Sequence, residues 1–131
     1  MSFRVSFLFC QDSNDNEPCI IFYKNEYNKY EIPTFEMPEN EYDVDKFVLN
    51  KFKEITGVNA IDKKGNGWIN LFLTGTIVFN KKYSFVYTCK IPPQIKIENS
   101  SKIKMSTLLN SEDIEKDYLN EIIYSFNNII R

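Results

Sequence analysis

Carboxylates, lysines, tyrosines and cysteines are the side chains on which any chemistry in this sequence has to rest. Glu36, Glu39 and Glu41 fall within one short stretch, and Glu54 follows on a segment of helical periodicity. Oxygen donors of this kind suit a hard divalent cation, although a solvated acidic loop is the plainer reading of the same cluster. The acids at Glu98, Glu112 and Asp113 have no diagnostic spacing. The chain has no histidine, which removes Ser-His-Asp and Cys-His catalysis, histidine metal ligation and a histidine general base. Cys10, Cys19 and Cys89 are odd in number and lie in strand-like runs. Their spacing matches neither a zinc motif nor a disulfide framework, so they read as buried free thiols.

A single domain over residues 1–131 is expected to position these groups, since the chain is long enough to bury its own core. Hydrophobic residues make up 43% and charged residues 26%, ordinary proportions for a globular protein. The formal charge is −2, with lysines and acids interspersed. That balance offers no phosphate-neutralising surface, and no nucleic-acid partner is expected. The apolar run Phe3–Cys10 is too short for a signal peptide, and no stretch reaches the length of a membrane span. A cytoplasmic protein without a membrane partner is the expectation.

Arg4–Cys10 is rich in strand formers and Cys19–Tyr23 is nearly all apolar, so the second strand should be buried on both faces. Val44, Val48, Phe52 and Ile55 step by four, four and three, which sets them on one side of a helix over residues 43–56. Asp43 suits its N-terminus and Gly57 its C-terminal stop. Asn59 to Gly67 reads as a loop. Trp68–Phe79 and Tyr83–Ile91 form a hairpin signal around Asn80-Lys81-Lys82. Exposed aromatics such as Tyr83 to Tyr87 leave room for a homodimer. Gln94–Ser101 reads as a polar loop holding a short strand at Ile95–Ile97, and Ile103–Met105 as another strand. Ile114, Tyr118, Leu119, Ile122, Phe126, Ile129 and Ile130 then keep a helical period to the end. Strands, helix, hairpin, short strand and helix in that order give an α+β or mixed α/β sandwich.

One stretch carries more than generic structure. Tyr30-Glu31-Ile32-Pro33-Thr34-Phe35-Glu36-Met37-Pro38-Glu39-Asn40-Glu41, the helix, and Glu54-Ile55-Thr56-Gly57-Val58 resemble the Nudix box. That box has the pattern G-x5-E-x7-R-E-U-x-E-E-x-G-U, where U is a bulky aliphatic, and an aromatic-x-hydrophobic-Pro-Gly-Gly segment leads into it. The resemblance spans nearly the whole chain. It implies a Nudix-like α/β/α sandwich, with a mixed sheet and two main helices. Pro33 keeps the family's proline, but Thr34 and Phe35 stand where paired glycines belong. Glu41 falls on the first box glutamate. With the helix anchored at Gly57, Asn50 takes the arginine position and Lys51 the first helical glutamate. Phe52 takes the bulky position, Glu54 and Ile55 the paired glutamates, and Val58 the final aliphatic.

The resemblance implies that helical acids hold Mg2+ or Mn2+ beside a diphosphate cleft and position water to cleave a nucleoside-diphosphate-linked substrate. Of those acids only Glu54 survives, as the remaining catalytic and metal-ligating candidate, with Glu41 as a second ligand. Lys51 works against such a site: at about 4 Å an ammonium repels a divalent ion by about 8 kcal/mol at an effective dielectric of about 20, an upper figure because the side chain can swing away. Lys51 also falls in the apolar arc of the helix, where it either snorkels to solvent or supplies its own charge to a phosphate. Phe35 either stacks on a base or fills a gap. Glu36, Glu39 and Glu41 offer a substitute cation site. Three functions stay open on these residues. The first is a degenerate Nudix domain that binds a nucleotide-like small molecule without the standard hydrolysis. The second is an active hydrolase with an unconventional site of Glu36, Glu39, Glu41 and Glu54. The third is a non-enzymatic interaction domain.

Overall fold

Apolar residues alternate between two opposite helices along the central strand, and this divides the core in two. The computed structural model describes residues 3–79 and 81–130, with the side chains of Phe79 and residues 128–130 excepted. Asn80 of the expected hairpin turn, and the side chains of Ile129 and Ile130, lie outside the described residues. The strands are β1 (Arg4–Asp12), β2 (Pro18–Lys24), β3 (Tyr30–Glu31), β4 (Thr34–Glu36), β5 (Phe72–Phe79), β6 (Lys82–Lys90) and β7 (Ser101–Lys104). The helices are α1 (Val44–Thr56), the single turn α2 (Met105–Leu108) and α3 (Lys116–Ile130).

The sheet runs β3-β2-β1-β6-β5, with β4 paired to β1 and β7 to β2. β1 and β6 are parallel, while the other named strand pairs are antiparallel. Val5, Phe7, Phe9 and Ile21 pack with Phe47, Val48 and Phe52 of α1. Leu8, Cys10, Ile20 and Phe22 pack with Tyr118, Leu119, Ile122 and Phe126 of α3. Burial of a strand on both faces, expected for Cys19–Tyr23, follows from this layering. The architecture is the expected α/β/α sandwich with a mixed sheet and two main helices.

Local chemistry fixes α1. The Asp43 carboxylate accepts the Lys46 N–H at 3.1 Å, capping the first turn. Gly57 ends the helix in the left-handed region at φ 78°, its N–H donating to the Lys53 carbonyl. Phe52 is fully buried, its ring edge-on to Phe9 at 5.9 Å and tilted against Phe7 at 6.3 Å. Those contacts set the rotation of the helix on the sheet.

Four expectations need correction. Thr34-Phe35, at the paired-glycine position where the resemblance implies a loop, belongs to β4, because its backbone finds partners in the first residues of β1. The strand expected from Trp68 starts at Phe72 instead. Gly67 sits at φ 135° against the Ala60 carbonyl, where a Cβ would fall at 2.4 Å. The chain turns there, and Ile69 only bridges to Ala60. Ile95–Ile97 forms no strand; both isoleucines pack into the α1-side core from irregular backbone between two turns. The strand expected at Ile103–Met105 is shifted to Ser101–Lys104, and Met105 opens α2.

At the sheet edge, the Val78 N–H donates to the Glu121 carboxylate at 3.1 Å. A strand from another copy cannot use that donor, which counts against edge-to-edge pairing there.

The Ile32 N–H donates to the Tyr118 hydroxyl at 2.9 Å in the buried interior, tying α3 to the segment that enters β4. Tyr118→Phe strips this amide of its acceptor, and urea unfolding should register a loss of about 1–3 kcal/mol.

Candidate functional site

Strand alternation decides where the acidic candidates go. β4 pairs with β1 through Arg4↔Glu36, Val5↔Phe35 and Ser6↔Thr34, and successive side chains on a strand point to opposite faces. Phe35 turns toward α1 and packs against its core, edge-on to Phe7 at 6.1 Å. Glu36 therefore turns away from α1, where it forms an ion pair with Lys82. Thr34 shares that other face, its hydroxyl 2.8 Å from Ser6 Oγ.

Glu54 and Lys51 lie on the rim of α1, next to the buried Phe52. Lys51 Nζ donates to Glu54 Oε2 at 3.2 Å, with side-chain exposures of 29% and 64%. The same ammonium stands 5.2 Å from the Phe35 ring centroid and 5.7 Å from that of Phe47. The lysine head thus faces aromatic surface on one side and a carboxylate on the other. Each contact of this kind contributes about 0.5–1 kcal/mol near solvent. The ion pair, being exposed, adds about 0–1 kcal/mol. Ile55, in the second paired-acid position of the box, packs against the α1-side core.

The remaining candidates do not join them. Glu41 Oε1 accepts the Asp43 N–H at 3.1 Å, so this carboxylate supports the entry to α1. Glu39 is exposed in the turn between β4 and α1. Among the described residues no group of three or more His, Cys, Asp or Glu side chains is placed to hold a metal ion. The donor set beside Glu54 is one carboxylate whose neighbour is an ammonium, and hard divalent cations need several oxygens. The residues present do not fit a divalent ion at this position.

Beside Phe35 opens a pocket of about 300 Å³, lined by Tyr23, Lys24, Asn25, Glu31, Pro33 and Thr34 among others. Burial pushes the Tyr23 hydroxyl above its ordinary pKa, which keeps it a proton donor. Asn25 Nδ2 donates to Glu31 Oε2 at 3.3 Å, and the Lys24 ammonium lies 5.1 Å from the Tyr30 ring centroid. Sequence reasoning missed these residues. The turn at Asn25–Asn28 was visible, and pairing across it sets Tyr23 opposite Glu31 and Lys24 opposite Tyr30. Lys82 and Phe47 were missed as well, since their roles need contacts across the fold.

The cysteines are free and buried as expected. Burial pushes the Cys10 thiol up to about 12 and raises Cys89 and Cys19 too, which makes them poor nucleophiles.

No protein-family model and no curated protein sequence matches the chain. Solved structures do match in fold. The C-terminal domain of mouse MUTYH, solved in complex with human PCNA, superposes with a TM-score of 0.71 at 12% identity, over 99% of this chain and 90% of that one. The Ap4A hydrolase of C. elegans gives 0.70 at 8% identity, over 100% and 99%. The Nudix domain of Shewanella oneidensis NrtR, solved with ADP-ribose, gives 0.67 at 13% identity, over 98% and 88%. The fold of this chain is Nudix-like.

Hydrogen bonding to Lys82 holds the Glu36 carboxyl below its ordinary pKa. A depressed acid contributes stability that is present above the unfolded-state pKa and lost as pH falls through the lower folded value. An NMR titration should find Glu36 titrating below the usual glutamate range, and Lys82→Ala should return it there.

Proposed function

We propose that this Nudix-like domain binds a nucleotide-like ligand and does not carry out metal-dependent pyrophosphate hydrolysis by the family's usual route. The observation behind this is the Lys51 ammonium 3.2 Å from Glu54, the one surviving helical acid of the box. An ammonium on that carboxylate satisfies it without a metal and repels an approaching divalent ion. The orientation of Glu36, on the sheet face away from α1, weakens the competing reading of an active hydrolase built from Glu36, Glu39, Glu41 and Glu54.

Support for a nucleotide-like ligand comes from two sides. The pocket beside Phe35 combines apolar and aromatic walls with a few polar groups, the usual make-up of a small-molecule site. The Nudix domain of Shewanella oneidensis NrtR was solved with ADP-ribose in complex. No helix among the described residues is long and apolar enough to cross a membrane. The buried free thiols fit a reducing, cytoplasmic setting.

A thermal-shift titration with Mg2+ and Mn2+, paired with a hydrolysis screen, tests the proposal. The screen covers nucleoside triphosphates, dinucleoside polyphosphates and nucleotide sugars. The expected outcome is no stabilisation by either metal alone and no turnover above background. Metal-dependent turnover that Glu54→Gln abolishes would establish the active-hydrolase reading instead.

A further inference from the structure

Lys51 is unusual in how it is held. Its ammonium faces two aromatic rings, Phe35 at 5.2 Å and Phe47 at 5.7 Å, and a carboxylate on its own helix at 3.2 Å. Lysine side chains on open helix surfaces are free to sample many rotamers; the two rings restrict this one. Its side chain keeps 29% exposure, so the residue is not closed off from solvent. The counter-charge is weakly committed, because Glu54 is 64% exposed and its pairing is the kind that solvent screens. A ligand bearing two or more negative charges can displace it.

The position of Phe35 adds a second element. One neighbour of its ring is the Lys51 ammonium, and the ring also lines the pocket that Tyr23, Lys24 and Asn25 share. Lys51 does not itself line that pocket; Phe35 is the residue the two share. Lys24 lines the same pocket, with its ammonium over the Tyr30 ring.

We propose that Lys51 is the phosphate-binding cation of this domain, a fixed positive charge doing with one side chain what a divalent ion would otherwise do. The ligand class is a compact organic phosphate or diphosphate, bound without metal. This deepens the nucleotide-binding reading above and rests on it. An ammonium is a point charge with rotatable donors, suited to a phosphate oxygen at any angle. Held in advance by its two rings, it loses less freedom on binding than a loose lysine would.

The test uses the intact chain with ADP and with inorganic pyrophosphate, both in excess EDTA, followed by calorimetric titration. The wild-type protein should bind at least one probe without metal. Lys51→Met should weaken that binding by about 10- to 100-fold, the range for a charge-assisted hydrogen bond. Lys51→Arg should keep it within a few-fold. The reversal Lys51→Glu supplies an independent readout: with two carboxylates at i and i+3, Mg2+ or Mn2+ should raise Tm where neither does for wild type. Tight binding of ADP with weak binding of pyrophosphate supports the proposal and adds the pocket to the site. Unchanged affinity in Lys51→Met overturns the role of Lys51 while leaving nucleotide binding intact. Failure of wild type to bind either probe in EDTA overturns it as well. Metal-dependent turnover by wild type instead removes the functional reading on which it stands.

Discussion

The three-residue pairing of Thr34–Glu36 with Arg4–Ser6 governs the character of this site. In a glycine-rich loop the backbone is free to approach a ligand. In a strand it is committed to its neighbour, and its side chains alternate strictly between faces. Phe35 is thereby directed at α1 and Glu36 away from it. That one pairing supplies a ring for the Lys51 ammonium and withdraws an acid from the same place. The Ile32–Tyr118 hydrogen bond, from the other layer, steadies the segment just ahead of it.

The helix answers the strand from the other side. Phe52 fills the space against Phe7 and Phe9, and this fixes which residues of α1 reach the rim. Lys51, one residue before it, is consequently a neighbour both of Phe35 and of Glu54, two residues after it. Each of their contacts is worth about a kilocalorie per mole or less. Their arrangement depends far more on the packing beneath them than on their mutual attraction. The charge balance at the rim is closed within the protein, an ammonium against a carboxylate.

Much of this was legible in the sequence where a local signal carried it. The Asp43 cap, the Gly57 stop and the four-four-three spacing of Val44, Val48, Phe52 and Ile55 set the bounds of α1 closely. The double burial of Cys19–Ile21 followed from an unbroken apolar run. The box register put Lys51 beside Glu54, and the structure brings the two into contact. What was not legible depended on distant partners. Thr34-Phe35-Glu36 is too short to declare itself a strand, and its partner lies at the other end of the first hairpin. Glu36 finds Lys82 46 residues away, and no periodicity announces that. The pocket of Tyr23, Lys24 and Glu31 likewise exists only once β2 and β3 pair. Trp68 offered a false signal: strand-like composition, overruled by the close approach of Gly67 to Ala60.

Because Lys51 and Glu54 answer each other's charge, we infer that this rim of α1 takes up no divalent ion. Paramagnetic broadening tests it most directly, by recording amide spectra during a Mn2+ titration. Amides from Lys51 to Gly57 are expected to broaden no more than those of other exposed segments. Selective broadening of those amides at low Mn2+, reversed by excess Mg2+, would contradict it.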